Sequence, residues 1–238
     1  MVVLISGLAL AGYLALRIVG SRYGAALLGI FGGLASSTAT TMMFSRHARD
    51  HADLVRMSAI VILIANVMVM IRIGIVASIV APTLILPIVT VFACEIVPGI
   101  ALTAYRWRAL ASAGALPMPE VSNPTELKTA ISFGLLYAVV LLAAAWLQDI
   151  AGNSGLFIVA VVSGLTDADA SVLSTLHLFN LDKLTGGDAV IAVTLALAAN
   201  LIFKIGLVLS IGGSKLARHA LPGLLGIGVG MAAGLMFI

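Results

Sequence analysis

Gly155-Leu156-Phe157-Ile158-Val159-Ala160-Val161-Val162-Ser163-Gly164-Leu165-Thr166-Asp167-Ala168-Asp169-Ala170-Ser171-Val172-Leu173-Ser174-Thr175-Leu176-His177-Leu178-Phe179 is an apolar run with two carboxylates at its centre. It is longer than the roughly 20 residues with which a helix crosses a bilayer. An ionised Asp at bilayer depth costs about 2.5–3.5 kcal/mol even on the lenient insertion scale, so intramembrane acids usually mark a site. The stretch therefore reads as a membrane span whose middle, Thr166-Asp167-Ala168-Asp169, is the first candidate for chemistry.

Working outward, the same composition covers the whole chain. Of its 238 residues 61% are hydrophobic and 10% charged, whereas soluble domains carry about 25% charged residues. Long apolar runs without alternation exclude a barrel, and only helices otherwise satisfy their backbone in lipid. Spans are expected near residues Val2–Val19, Gly24–Ser45, Leu54–Val80, Thr83–Tyr105, Leu127–Leu147, Gly155–Phe179, Ala189–Ile211 and Leu216–Phe237. The fold class is an all-α, polytopic membrane helix bundle of about eight transmembrane helices, a single membrane domain over residues 1–238. Met1 leads directly into Val2-Val3-Leu4-Ile5 without a basic region, so this start reads as a first span and not as a cleaved signal. The charged stretch Arg46–Asp53 and the polar stretch Asn180–Asp188 are expected as loops. The linker Arg106–Glu126 ends in Asn123-Pro124-Thr125-Glu126, a helix-start signature.

The net charge of +3 comes from 13 scattered Lys and Arg with no run of five or six, which argues against nucleic acid as a partner. Loop cations instead set orientation. Placing the N-terminus in the cytoplasm puts Arg46, Arg49, Arg56, Arg106, Arg108, Lys128 and Lys183 on that side, against Arg17, Arg22, Lys215 and Arg218 opposite. Both termini are thus expected to be cytoplasmic. The single cysteine, Cys94, leaves no disulfide framework and no cysteine metal site.

The two halves resemble each other. Gly33-Leu34-Ala35-Ser36-Ser37-Thr38-Ala39-Thr40 aligns without gaps to Gly164-Leu165-Thr166-Asp167-Ala168-Asp169-Ala170-Ser171, pairing Ser36 with Asp167 and Thr38 with Asp169. Ala65-Asn66 matches Ala199-Asn200, each followed by an intramembrane cation, Arg72 or Lys204, and Gly12-Tyr13 corresponds to Leu136-Tyr137. This divides the domain into repeat one, residues 1–108, and repeat two, residues 125–238, of four helices each. Transporters built on such repeats place their sites at mid-membrane. Four full spans per repeat leave the halves parallel. Re-entrant second and sixth spans would invert them.

Gly164 followed by Thr166 and Asp169 fits a helix restart with Thr166 as N-cap, and Gly32-Gly33 before Ser36 and Ser37 fits another. Asp167, Asp169, Thr166, Ser36, Ser37, Thr38, Asn66 and Asn200 would together offer the oxygens that suit a hard cation. The plainer alternative stays open: hydroxyls that back-bond to carbonyls and pack small-on-small between helices. Asn200 and Lys204 share a helix face, so Lys204 can neutralise a span-6 carboxylate and exchange a proton, or merely hold the bundle together. Arg72, about 240° round its helix from Asn66, is directed to Glu95 or to an interface. His47 and His51 beside Asp50 read as a solvated loop more readily than as a metal site, and no metal or cofactor is assigned. No Ser-His-Asp set, zincin motif or nucleotide loop is present, so an enzyme is not expected.

Gly12-Tyr13 with Arg17, the Gly32–Thr41 stretch, Asn123-Pro124 ahead of Phe133-Gly134, Gly164–Ala170, and Ala199-Asn200 with Lys204 form a pattern. It resembles the uncharacterised membrane domain found C-terminal to the MgtC/SapB domain, with no MgtC-like half in this sequence. The resemblance implies a bacterial inner-membrane protein and no settled activity. The expected function is a secondary transporter or channel-like carrier of a small inorganic cation, divalent such as magnesium or proton-coupled. Asp167 and Asp169 would be ligands, with Lys204, Arg72 and Glu95 as counter-charge or gating groups. The alternative is a non-transporting regulatory or assembly subunit. Expected partners are the lipid bilayer, the cation, and a second copy of the chain or an MgtC-like protein.

Overall fold

A computed structural model describes residues 21–111, 157–165 and 168–237. The described residues form the helices α1 (Ser21–Asp50), α2 (Val55–Val80), α3 (Ile85–Ala111), α4 (residues 157–165), α5 (Ala168–Asn180), α6 (Gly186–Ser210) and α7 (Gly213–Leu235). Among the described residues, five stretches are long and apolar enough to cross a membrane: Ala25–Asp50, Ala52–Val80, Pro82–Ala104, Gly186–Ser210 and Gly213–Leu235. The described regular structure is all helical, and the protein is an integral membrane protein. The first and fifth expected spans, and most of the Arg106–Glu126 linker, lie outside the described residues.

Local chemistry sets the helix ends. A 3-10 turn at Ala52–Leu54 links α1 to α2, and a second at Pro82–Leu84, with Pro at its start, links α2 to α3. At the C-terminus of α5, Asp182 takes a left-handed φ of 54°. The Asp182 N–H then donates to Phe179 O (3.0 Å) and the Lys183 N–H to Leu178 O (3.1 Å), a Schellman cap. Thr185 caps the start of α6: the Asp188 N–H donates to Thr185 Oγ1 (3.2 Å), and the Thr185 hydroxyl donates to Asp188 Oδ2 (2.7 Å). Two expected loops are consequently shorter than the sequence reading gave. α6 begins at Gly186, and α1 continues through Arg46, His47 and Arg49 to Asp50, because basic residues are favourable at a helix C-terminus.

The described chain gathers into two compact units. One holds α1, α2 to Met70, α3 from Ile96, α6 from Lys204 and α7 to Ile227. Its core includes Phe44, Met57, Ile60, Leu63, Leu216 and Leu224. Here α1 lies against α2 through glycine: a Cβ on Gly33 would stand 2.6 Å from Ala65 O and from Met68 Cβ. The other unit holds α2 from Ile71, α3 to Glu95, α4, α5, α6 to Phe203 and α7 from Gly228. In it α4 meets α6 through small residues, Ala160, Ala192 and Ala196 with Phe157 beside them, and a Cβ on Gly164 would stand 2.7 Å from Ala196 Cα. Small residues let backbones approach where lipid offers no hydrophobic drive.

Candidate functional site

In the first unit α1 is interrupted inside its span. Ser36 has φ −166° and ψ 106°, an extended conformation between two helical segments. It lies eleven residues from Ala25 and fourteen from Asp50, the ends of that span. Ser36 Oγ accepts the Ala39 N–H (3.2 Å), as an N-cap does. The Thr40 and Thr41 hydroxyls donate to Ser36 O and Ser37 O, each at 2.8 Å. Gly32 makes the break possible, since a Cβ there would stand 2.6 Å from Thr40 Oγ1. Ser37 and Thr38 are buried.

Asn66 occupies the midpoint of its span, fourteen residues from both Ala52 and Val80. Its Nδ2 donates to Ile62 O (2.8 Å), which turns Oδ1 outward to accept from Lys204 Nζ (3.0 Å). Asn66 is 1% and Lys204 2% exposed, so an ammonium is held inside the unit by an amide dipole.

In the second unit the guanidinium of Arg72 forms an ion pair with Asp169 in the first turn of α5. The pair is partly buried, at 24% side-chain exposure for Arg72 and 41% for Asp169. Buried Asn200 donates through Nδ2 to Gly164 O (3.0 Å), tying α6 to the end of α4. Glu95 is fully buried on α3, and neither of its oxygens has a hydrogen-bond partner.

These placements sort the residues singled out above. The Thr40 and Thr41 hydroxyls back-bond to carbonyls, and Ser36 caps a helix restart. The cation that reaches Asp169 is Arg72, which sequence reasoning directed to Glu95 or to an interface. Lys204 donates to Asn66, and its expected pairing with Asp167 lies outside the described residues. Thr166 and Asp167 lie outside the described residues. The Gly164 carbonyl was missed; the polar Asn200 one span later was its signal, but a backbone acceptor leaves no mark in side-chain chemistry. Among the described residues no group of three or more His, Cys, Asp or Glu could hold a metal ion.

Residues 3–212 match the family described as "Domain of unknown function (DUF4010)". An "Uncharacterized protein" of Aquifex aeolicus (strain VF5) is 26% identical over 199 residues, which cover 82% of this chain and 85% of that protein. No solved structure matches.

Proposed function

The chain belongs to the family described as "Domain of unknown function (DUF4010)", and within it we propose a secondary transporter or channel-like carrier for a small inorganic cation. Asp169 and Asp167 are its ligands in this reading, and Ser36, Ser37, Thr38, Thr166, Asn66 and Asn200 are the further oxygen donors it assigns. The observation that carries this reading is the burial of amide and ionic side chains within long apolar helices, Asn66 and Lys204 in one unit and Glu95 and Asn200 in the other, with a helix interruption at Ser36 in the first. Such groups are expensive in hydrocarbon, and irregular backbone persists at membrane depth where it lines a protein-enclosed site. In this state Arg72 occupies Asp169, so an entering cation competes with a built-in one. That competition is how a carrier can switch its site between occupied and closed.

We also propose that the chain is a pair of four-helix repeats in a bacterial inner membrane, with both termini cytoplasmic. Gly33 packs on Ala65 and Gly164 on Ala196, two contacts related by the register that aligns the two Gly-Leu stretches, which supports the repeat. The test is flux in proteoliposomes across mono- and divalent cations, magnesium included, for the native protein, Asp167→Asn and Asp169→Asn. Selective flux that falls in the variants is expected. Unchanged flux in both variants overturns the site. No flux for any cation, together with a stable partner in mild detergent, turns the reading to a regulatory or assembly subunit.

A further inference from the structure

The charged and amide side chains placed above have partners, except one. Asp169 has Arg72, Lys204 has Asn66 and Asn200 has Gly164 O. Glu95 has none, although it is fully buried and lies thirteen residues from Pro82 and nine from Ala104 in its span. α7 covers it directly: a Cβ on Gly230 would stand 2.7 Å from Glu95 Cα. Residues 228–235 of α7 contain no titratable side chain, and Cys94 is the neighbour on Glu95's own helix.

The other described charged or titratable groups of this unit are Arg72, Asp169, His177, Asp182, Lys183 and Asp188, and none hydrogen-bonds or ion-pairs with Glu95. Arg72 and Asp169 hold each other, Asp188 takes the Thr185 hydroxyl, and His177, Asp182 and Lys183 are exposed. An ionised carboxylate sealed away without a partner costs several kcal/mol, whereas a neutral acid leaves only an unsatisfied hydroxyl, about 1–3 kcal/mol.

Resting on the carrier reading, we propose that Glu95 is its proton site. The exchangeable ligand is a proton, held as the neutral acid while the α7 backbone covers it. On release the carboxyl O–H bond breaks, the electron pair stays on the carboxylate, and the proton passes to water on the side to which the site opens. On return the carboxylate takes a proton from water on the opposite side. Coupling follows because a covered Glu95 must be neutral for the carrier to close.

The experiment uses the full chain in proteoliposomes containing a trapped pH-sensitive dye, with a magnesium or sodium gradient, comparing the native protein with Glu95→Gln. Gln has the shape of the neutral acid, so E95Q is expected to fold and to lose the proton movement that the cation gradient drives. Undiminished proton movement in E95Q overturns the coupling while leaving the carrier. No cation flux in the native protein overturns the carrier and the coupling with it. Infrared spectra of the native protein labelled at glutamate decide protonation without any variant. A carboxylic-acid carbonyl band from a buried Glu is expected, and only carboxylate bands would overturn the assignment.

Discussion

Gly164→Ala is the sharpest test of how α4 and α6 are held. A methyl added at this position would lie 2.7 Å from Ala196 Cα and 2.9 Å from Ala196 C, whereas carbon atoms in contact sit about 3.5–4.0 Å apart. The shortfall is about 1 Å, and the atoms in the way are backbone, which cannot rotate aside. Overpacking of this kind costs about 1–3 kcal/mol. Moving α4 away also stretches the Asn200–Gly164 hydrogen bond, worth about 0.6 kcal/mol between membrane helices. Against this stands the helix preference for alanine, about 0.8–1 kcal/mol. The net expectation is a loss of about 1–2 kcal/mol. Gly206→Ala is the control, because nothing lies within 4 Å of its added Cβ, so only the gain of about 0.5–1 kcal/mol remains. Thermal unfolding of the two variants in the same detergent should separate them by about 3–12 °C, at ~2–4 °C per kcal/mol for a chain of this size. Equal stability of G164A and G206A would refute close backbone packing at Gly164.

Ser36→Ala removes the cap on the second segment of α1 and should cost about 0.5–2 kcal/mol in the same melt, while Ser36→Gly costs only a few tenths. Asn66→Ala takes the amide acceptor from buried Lys204. A loss of about 1–3 kcal/mol is expected, and Asn66→Asp, which keeps an acceptor oxygen, should be milder in denaturant or thermal unfolding. A double-mutant cycle of Arg72→Gln with Asp169→Asn should return a coupling near ~1 kcal/mol, modest because both side chains are part-exposed. Additive effects would mean that the pair is not formed in the membrane.

Most of the helices could be read from the sequence because their signals are local. Apolar length marks α2 and α6, and Pro82 marks the start of the turn before α3. The interruption at Ser36 was visible too, since Gly32-Gly33 followed by Ser36 has the spacing of a capped restart. The exact ends were less visible: Arg46–Asp50 looks like a solvated loop by charge, yet the same cations suit the final turn of a helix. Partner choice was not legible, because a side chain's partner depends on the rotation of one helix against another. That rotation is set by which backbone atoms touch.

The two asparagines show this dependence. Sequence similarity pairs Ala65-Asn66 with Ala199-Asn200 and suggests equal roles. The packing contacts pair Ala65 with Ala196 instead, three residues earlier in α6. Asn66 is one residue past its contact alanine, about 100° round the helix and away from α1. It therefore spends its amide on Ile62 O and offers Oδ1 to Lys204. Asn200 is four residues past Ala196, nearly a full turn, so it still faces α4 and donates to Gly164 O. One turn of register thus converts the same dipeptide from a seat for a buried ammonium into a clasp between helices. In the proposed repeat, that difference leaves a hydroxyl-lined, lysine-bearing unit and an acidic unit with Arg72 already seated on Asp169. A carrier built this way would be asymmetric at its centre even with a symmetric plan, and the Gly33–Ala65 and Gly164–Ala196 contacts set where the asymmetry falls.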